Sequence, residues 1–352
     1  MAEDYTPREI VKNLLQGTAS PRPLFLPIVF SLGARIENMP LRSYLTNPTK
    51  ITNSVRQIRG RVRSDGITCY YDPFLEAQAL GGTVEWESGD YARAVRWPGP
   101  AFNGEVPAGL RSPEDSARSS SVNTAAEVIR RLKSLKRDDA LLMACITGPF
   151  TLGALLSNAD ANGELRADDV QSFAVAFSAA VIARIASVFS EAGANVIFIR
   201  EEVLPTASTE VFSDWTSSLS STINIIRFYE ALPVLLVTDP RPADANRNEL
   251  FSGIKDCIVC VAAGIGGPPR IDADRVDANR VVTINDERIA LGGVALPLEL
   301  FNPQDSVPTA TDEALHCAIL DGNPAVITTA GDVGPTVDVK RLNKIWELLH
   351  CS

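Results

Sequence analysis

Short apolar runs alternate with stretches of helical spacing along most of the chain. Eight of these runs are nearly uninterrupted by polar residues. Continuous apolar runs of this length are typical of strands that are buried on both faces, as in parallel sheets. We therefore predict eight strands, at residues 24–30, 67–72, 141–148, 194–201, 233–239, 256–263, 289–296 and 325–332.

The segments between these runs carry helix signals. Residues 6–9 (TPRE) combine an N-cap, a proline at the first helical position and the glutamate of a capping box. Between residues 168 and 192 apolar side chains recur at helical spacing, and Gly193 is expected to end that helix. A last helix is predicted to begin after Asp338.

Eight strand-then-helix units in one chain predict a closed (β/α)₈ barrel of the TIM type, forming a single domain over residues 1–352. A doubly wound open sheet is the alternative, but no G-x-G-x-x-G follows the first strand, which disfavours its dinucleotide-binding version. Residues 82–140 are predicted as an insert between strands 2 and 3. It contains a hairpin (TVEWE, then ARAVRW) and a polar Ser/Arg segment, and it would cover the active site or lie on the surface.

Composition and charge exclude several classes of function. The net charge of −10 argues against a nucleic-acid-binding protein, which needs a basic face. No apolar run is expected to reach the length of a membrane span, and the N-terminal residues do not resemble a signal peptide, so the expected location is the cytoplasm. Cys257 and Cys260 form a C-x-x-C, but on a strand they point to opposite faces and cannot bind one ion. The two histidines are both interpreted as non-catalytic.

Polar residues follow the predicted strands at the end where a barrel carries its active site. Five of them are carboxylates, and such a group can act as acid and base or can hold a divalent cation. A solvated loop charge or a helix cap is the alternative for any one of them. The candidates are Ser31, Arg35, Asp72, Thr147, Phe150, Thr151, Glu201, Glu202, Thr238, Asp239 and Asp332.

Four segments carry a resemblance to a known family: ITCYYDPFLEAQALG (67–81), ITGPFTLGALL (146–156), GGVALP (292–297) and AVITTAGDVGPTVD (325–338). Taken in order, they resemble the uroporphyrinogen decarboxylase superfamily over nearly the whole chain. That superfamily contains a cofactor-free decarboxylase and zinc- and corrinoid-linked methyltransferases. The resemblance implies a barrel, a small-molecule substrate and commonly a homodimer.

The decarboxylase branch of this superfamily is matched only in part. Asp72 stands where the resemblance implies an aspartate that holds pyrrole nitrogens. Arg35 matches one of two arginines that grip substrate carboxylates, whereas Ser31 replaces the other and Gly331 replaces a histidine. The mouth was expected to be acidic, so Coulomb repulsion disfavours a tetrapyrrole with eight carboxylates.

The methyltransferase branch implies zinc ligands that are also replaced. Its H-x-C after strand 5 reads Val237-Thr238-Asp239 here, and its cysteine in strand 8 is Gly331. A harder, oxygen-based site for a divalent metal such as zinc is the hypothesis that replaces it, with Asp239, Asp332 and either Glu201 or Glu202 as ligands. General likeness is nevertheless stronger to this branch, notably in PLRSYLTNPTKI (40–51) and TVEWE (83–87).

These patterns predict a methyl or one-carbon transferase first. Its corrinoid or folate would come from a partner such as a corrinoid carrier protein, since the chain has no D-x-H-x-x-G segment. The alternatives are a decarboxylase (a lyase) built around Asp72 and a barrel that only binds a ligand. The catalytic assignments are Asp72, Arg35 and Glu202. The substrate-binding assignments are Ser31, Thr147, Phe150, Thr151 and Thr238.

Overall fold

The computed structural model shows eight parallel strands in a nearly closed barrel, wrapped by helices. It describes residues 5–18, 20–87, 91–98, 106, 108–135, 140–157, 165, 170–206, 210–239, 251, 254–262, 292–301 and 324–350. A (β/α)₈ barrel is thereby confirmed. The strands are β1 (Leu24–Leu26), β2 (Gly66–Tyr70), β3 (Thr83–Glu87), β4 (Tyr91–Arg96), β5 (Leu141–Thr147), β6 (Val196–Glu201), β7 (Leu232–Val237), β8 (Ile258–Ala262), β9 (Gly292–Leu296) and β10 (Val326–Thr329).

The sheet order is β1-β10-β9-β8-β7-β6-β5-β2, and every neighbouring pair is parallel. The edges β1 and β2 meet without a regular ladder between them. One backbone hydrogen bond, from Asp65 N–H to the Phe25 carbonyl oxygen at 2.9 Å, crosses this seam. Side chains complete it: Phe25 N–H donates to Asp65 Oδ2 at 2.8 Å, and Val29 N–H donates to Thr68 Oγ1 at 3.2 Å. Pro27 follows β1 and has no N–H to give to a ladder, which explains why the strand is shorter than predicted.

The helices lie outside the barrel, apart from α1, whose buried residues pack with the barrel interior. The predicted capping box is present at Thr6 and Glu9, and Gly193 ends α9 in the left-handed region at φ 112°. Asp338 Oδ1 accepts from Lys340 N–H at the start of the last helix. The helices are α1 (Pro7–Leu15), α2 (Leu32–Ile36), α3 (Leu41–Tyr44), α4 (Pro48–Arg61), α5 (Leu75–Leu80), α6 (Pro113–Ala117), α7 (Ser120–Leu135), α8 (Pro149–Ser157), α9 (Ser172–Ala192), α10 (Glu210–Phe228) and α11 (Val339–His350).

The predicted insert at 82–140 is only partly an excursion from the barrel. Strands β3 and β4 form the expected hairpin, and Trp86 of that hairpin reaches the barrel mouth. The polar segment that was expected on the surface instead contains α6 and the start of α7. Helix α7 buries Val122, Val128 and Ile129 and packs against β2 and β5, as a regular barrel helix does.

Side chains on the strands alternate between the barrel interior and the layer of helices. On β1, β6, β7 and β10 the even-numbered residues point inward, and the odd-numbered ones point outward. This parity continues past the strand ends and decides which polar residues reach the mouth. The interior residues that establish it are Leu24, Leu26, Val196, Phe198, Leu232, Val234, Leu236 and Val326.

One helix, α9, is long and apolar. Helix α9 has 21 residues, and an 18-residue window within it has a mean hydropathy of 1.9, so by length and composition alone it could cross a membrane. The expectation that no apolar run reaches the length of a membrane span was therefore wrong, although α9 packs here against α6, α7, α8 and α10.

Cys257 and Cys260 are both buried and belong to opposite faces of the sheet, as expected.

Candidate active site

A cavity of about 720 Å³ opens at the end of the barrel where the strands end. Its wall is apolar on one side, where Phe30, Leu41, Leu45, Trp86 and Leu298 lie. Among the described residues, the polar side carries two cations and three carboxylates, so this part of the mouth is not simply acidic. The polar and charged residues are Ser31, Arg35, Asn38, Tyr71, Asp72, Arg200, Glu202, Thr238, Asp332 and Thr336.

Asp72 lies directly after β2 and is almost fully buried in the cavity wall. Its Oδ1 accepts from Phe74 N–H at 2.9 Å, and its Oδ2 accepts from the Gln78 side-chain amide at 2.7 Å. Burial raises the pKa of Asp72 above its usual value, and the two hydrogen bonds and the Arg200 charge oppose that rise. The protonated carboxyl is therefore present at a higher pH than for an exposed aspartate, which suits a proton donor.

Arg200 is a candidate site residue that the sequence analysis did not predict. It lies on β6 and is only 5% exposed, yet its guanidinium points into the cavity. Nη1 donates to the Tyr71 hydroxyl at 2.5 Å, Nη2 donates to the Pro73 carbonyl oxygen at 3.3 Å, and Nη2 lies 3.1 Å from Glu202 Oε1. Nε is buried and has no hydrogen-bond partner among the described residues.

The strand alternation is the signal that could have found Arg200. In VIFIRE, Val196 and Phe198 face the barrel interior, so Arg200 must face it too. The same rule sends Glu202 to the cavity and Glu201 to the helix layer. Glu202 lines the cavity with a side chain that is 41% exposed, as the sequence analysis favoured.

Tyr71 connects this arginine to the rest of the wall. Its ring lies 5.2 Å from the Arg200 guanidinium carbon, within the range of a cation–π contact. Burial raises the pKa of Tyr71 to about 12, although the neighbouring Arg200 lowers it. Tyr71 therefore stays protonated at neutral pH and can still donate a hydrogen bond while it accepts one from Arg200.

Asp332 fixes the loop that follows β1. Its carboxylate accepts from Phe30 N–H at 2.7 Å and from Ser31 N–H at 3.1 Å. Burial raises the pKa of Asp332 above its usual value, and these hydrogen bonds oppose that rise. Arg35 lies on α2 at the exposed rim, where Nη1 donates to the Pro335 carbonyl oxygen at 3.3 Å. The loop thus places Ser31 and Arg35 at the cavity as predicted.

Glu201 is not at the mouth, because it points into the helix layer and is fully buried there. Its carboxylate accepts from Phe150 N–H at 3.1 Å, from Thr151 N–H at 2.8 Å and from Trp215 Nε1 at 2.8 Å. An added Cβ at Gly148 would lie 2.1 Å from the Glu201 carboxyl carbon, so only glycine fits beside it. Glu201 therefore ties α8 and α10 to β6.

Asp239 also differs from its predicted place. It is an odd-numbered residue after β7, and its Oδ2 accepts from Leu204 N–H at 2.8 Å outside the cavity. Thr238 precedes it and lines the cavity, as predicted. Of the proposed ligands, Asp332 and the alternative Glu202 reach the mouth, whereas Asp239 and Glu201 do not.

These positions do not fit the predicted oxygen-based metal site. Within the described ranges, no group of three or more His, Cys, Asp or Glu side chains is placed to hold a metal ion. The carboxylate oxygens of Glu201 and Asp239 accept hydrogen bonds from backbone or indole N–H groups of the helix layer instead. The predicted ligand set is therefore not assembled, and no step is derived through a metal.

Three predicted substrate-binding residues support the wall from behind without lining the cavity. The Thr147 hydroxyl and N–H both donate to Glu76, at 2.7 Å and 2.9 Å, and Phe150 belongs to the core between sheet and helices. Thr151 Oγ1 accepts from Glu202 N–H at 2.9 Å and so holds the turn after β6. Glu76 itself was not anticipated. It is buried, and burial raises its pKa.

The buried Glu201 predicts a pH-dependent stability. Burial raises its pKa from 4.5 to about 7 in the folded chain, against the effect of its hydrogen bonds. Because the folded-state pKa is the higher one, stability is present in full below pH 4.5 and is lost as the pH rises to about 7. Relative to Glu201→Gln, which does not titrate, the wild type should lose on the order of 3 kcal/mol of unfolding free energy across that window.

Urea unfolding followed by tryptophan fluorescence, at several pH values from 4.5 to 8, measures this difference. The comparison uses the gap between wild type and Glu201→Gln at each pH, so the titration of other groups cancels. Parallel stability curves for the two proteins would contradict the assignment of the raised pKa to Glu201.

Comparison with known proteins identifies the family of this chain. The family model of uroporphyrinogen decarboxylase (URO-D) matches residues 6–351. The chain belongs to the uroporphyrinogen decarboxylase family. No curated protein matches the sequence.

Two solved structures illustrate the shared fold of this URO-D chain. It is similar to a methyltransferase from Methanosarcina mazei, with a TM-score of 0.71, 16% identity and 98% of each chain covered. It is also similar to a putative vitamin-B12 independent methionine synthase from Listeria monocytogenes, with a TM-score of 0.52, 14% identity and 94% and 96% of the two chains covered. At these identities the likeness establishes the fold alone.

The URO-D assignment agrees with the placement of Asp72 and Arg35 at one mouth. Asp72 holds the position where the resemblance implies the aspartate, and the cavity includes Ser31 in place of the first arginine. Arg200 supplies a buried cation from a different strand. The described cavity wall of the URO-D chain therefore includes the Asp72 carboxyl and two guanidinium groups.

Proposed function

We propose that this chain is a methyl or one-carbon transferase that acts on a methylated organic acid at the barrel mouth. The observation that carries the proposal is the presence of Asp72 and Arg200 in one cavity. Asp72 is a carboxyl group with a raised pKa, and Arg200 is a buried guanidinium. Likeness in fold to a protein described as a methyltransferase also supports it.

The charges of the cavity favour a substrate with a single anionic group. Arg200 and Arg35 are the cations in the described cavity wall. Arg200 forms an ion pair with Glu202, with 3.1 Å between Nη2 and Oε1. Two guanidinium groups cannot neutralise a tetrapyrrole with many carboxylates, especially beside Asp72 and Asp332. One carboxylate held by a guanidinium fork, with an apolar body against Phe30 and Leu41, suits this wall better.

The proposed transfer uses Asp72 as general acid. The bond between the substrate oxygen or nitrogen and its methyl carbon breaks, and that heteroatom takes the proton of Asp72 as it leaves. A reduced corrinoid on a separate carrier protein would supply the nucleophile that accepts the methyl group. Asp72 then regains its proton from water. Arg200 and Arg35 hold the acid group, and the apolar wall excludes water around the reacting bond.

Decarboxylation is the second candidate, and a specific observation favours it. Asp72 keeps the family position, and a carboxyl with a raised pKa can protonate the carbanion left when CO₂ departs. That reaction needs no carrier protein. The bond from carbon to the carboxylate breaks, and the carbon takes the proton of Asp72.

The experiment that tests the proposal uses the full-length protein and a panel of methyl ethers and methylamines that carry one carboxylate. Chemically reduced cobalamin serves as acceptor, and methylcobalamin is measured by mass spectrometry. Methylcobalamin formation that depends on protein and substrate is the expected result. Release of CO₂ from panel members without corrinoid would support the decarboxylase, and no product in either assay would overturn methyl transfer to such acids.

Arg200 gives the prediction that is specific to this cavity. Arg200→Gln should raise KM for the anionic substrate by about 10- to 100-fold, because a charge-assisted hydrogen bond is lost. Arg200→Lys should recover only part of the affinity, since an ammonium lacks the fork. The exposed Arg130, in an ion pair with Glu127, provides the control Arg130→Gln, which should leave KM unchanged. Equal KM values for Arg200→Gln and wild type would exclude Arg200 as the anchor.

A further inference from the structure

A second large cavity lies at the opposite end of the barrel, where the strands begin. It has a volume of about 690 Å³ and lies between α1, the ends of α7, α9 and α10, and the start of β5. The active-site mouth opens at the other end of the strands, so none of the residues lining one cavity lines the other. This cavity plays no part in the proposed transfer.

The cavity at the strand starts is strongly basic in a chain whose net charge is −10. Arg8, Lys12, Lys133 and Arg227 line it, and Glu230 is the carboxylate among its described lining residues. Helix C-termini attract cations, which accounts for single basic residues at this face. Four around one space repel one another unless an anion lies between them.

Three of these four cations have donors to spare. Arg227 donates to the Leu15 carbonyl oxygen at 2.7 Å and lies 3.7 Å from Asp256. The side chains of Arg8, Lys12 and Lys133 form no hydrogen bond or ion pair within the part of the chain that the structure describes. The stem of Lys133 lies over Gly193, which positions its ammonium group at the cavity wall.

Neutral donors complete the wall. The Ser190 hydroxyl oxygen is buried and has no hydrogen-bond partner among the described residues. Asn195 Oδ1 accepts from Leu142 N–H at 3.0 Å, which leaves the Asn195 amide nitrogen to donate elsewhere. Both residues line the cavity. An unpaired buried hydroxyl costs free energy, and an oxygen-rich ligand at this wall would remove that cost.

We propose that this second cavity binds a small phosphate-bearing anion. A phosphate group carries up to two negative charges and several acceptor oxygens, so Arg8, Lys12 and Lys133 can contact it at the same time. A single carboxylate has one charge and two oxygens, and it would leave part of this donor set unpaired. The ligand class is therefore a phosphate or diphosphate ester rather than a monocarboxylic acid.

Calorimetric titration of the full-length protein with inorganic pyrophosphate at low ionic strength tests the proposal. Saturable binding of one pyrophosphate per chain is expected, and Lys12→Gln/Lys133→Gln should weaken it at least about tenfold, because two charge-assisted contacts are lost. The matched control is Arg130→Gln/Arg184→Gln, which removes the same charge from two exposed ion pairs outside both cavities. That control should bind pyrophosphate as the wild type does.

Several results would overturn the proposal. Absence of saturable binding at millimolar pyrophosphate would do so, as would equal weakening in both double variants, which would indicate a general charge effect. Loss of binding in Arg200→Gln would move the anion to the active-site mouth. Citrate that binds more tightly than pyrophosphate would assign the cavity to carboxylates. All these readouts are independent of turnover, so they stand even where the methyl-transfer assay fails.

Discussion

Replacing Asp72 by asparagine is expected to lower turnover by about 10²- to 10⁴-fold, the usual contribution of a general acid. The variant should fold normally. Asparagine keeps an oxygen to accept from Phe74 N–H, and the Gln78 side-chain amide can rotate to present its oxygen to the new amide. The loss therefore reports the proton of Asp72 and not the turn that it caps.

The pH dependence of the wild type gives a second readout of the same residue. The pKa of Asp72 is raised, so its donating form persists above the usual carboxyl range, and kcat should fall as the pH rises through that pKa. This descending limb should be absent in Asp72→Asn. The control is Asp115→Asn on the exposed first turn of α6, which should change neither turnover nor its pH profile. Full activity in Asp72→Asn would remove Asp72 from the chemistry.

Replacing Asp65 by alanine should cause the largest loss of stability, about 3–5 kcal/mol of unfolding free energy. Asp65 is fully buried at the seam between β1 and β2. It accepts two hydrogen bonds from the Arg22 guanidinium, at 2.8 Å and 2.9 Å, and one from Phe25 N–H at 2.8 Å. Its removal leaves a half-buried cation and a buried N–H without their acceptor.

The Arg184–Glu114 pair provides a matched control for Asp65. Its side chains are 61% and 55% exposed, and its ends lie 3.0 Å apart. Glu114→Ala should change stability by less than about 1 kcal/mol. Asp65→Asn keeps one acceptor for Phe25 N–H, so its loss of unfolding free energy should lie between those of Asp65→Ala and Glu114→Ala. Chemical denaturation monitored by circular dichroism measures all three, and equal stabilities for Asp65→Ala and Glu114→Ala would show that the seam does not depend on this pair.

The barrel could be predicted from the sequence because each strand is an apolar run with its own turn signals. The same local patterns failed where small or polar residues hide a helix. Helix α7 begins in SSVNTAAEV, and its buried face is largely alanine and valine, so the segment was interpreted as surface. Strand β1 was predicted too long because the apolar run continues through Pro27, which cannot join a ladder.

The candidate site could be predicted as far as strand parity was applied. Strand alternation, applied to VIFIRE and LPVLLV, predicts Arg200 and Glu202 at the mouth and removes Glu201 and Asp239 from it. The alternation of side chains along a strand does not predict the environment of Glu201, because Gly148 and Trp215 contact it from other parts of the chain. Contacts between residues distant in sequence are set by packing, not by local pattern.

The position of β1 in the sheet has a consequence for synthesis of the chain. Its ladder partner is β10, and the contact between Thr328 and Leu26 joins residues 302 positions apart. During synthesis β1 must therefore wait for β10, about 300 residues later in the chain, before it can form its ladder. Until β10 is made, its two neighbours in the sheet, β1 and β9, each have an unpaired edge. Joining β1 to β10 closes a very long loop, and this step is slow because the chain loses much conformational entropy. Nascent chains that stop before residue 326 should accordingly depend on chaperones to avoid association through β1.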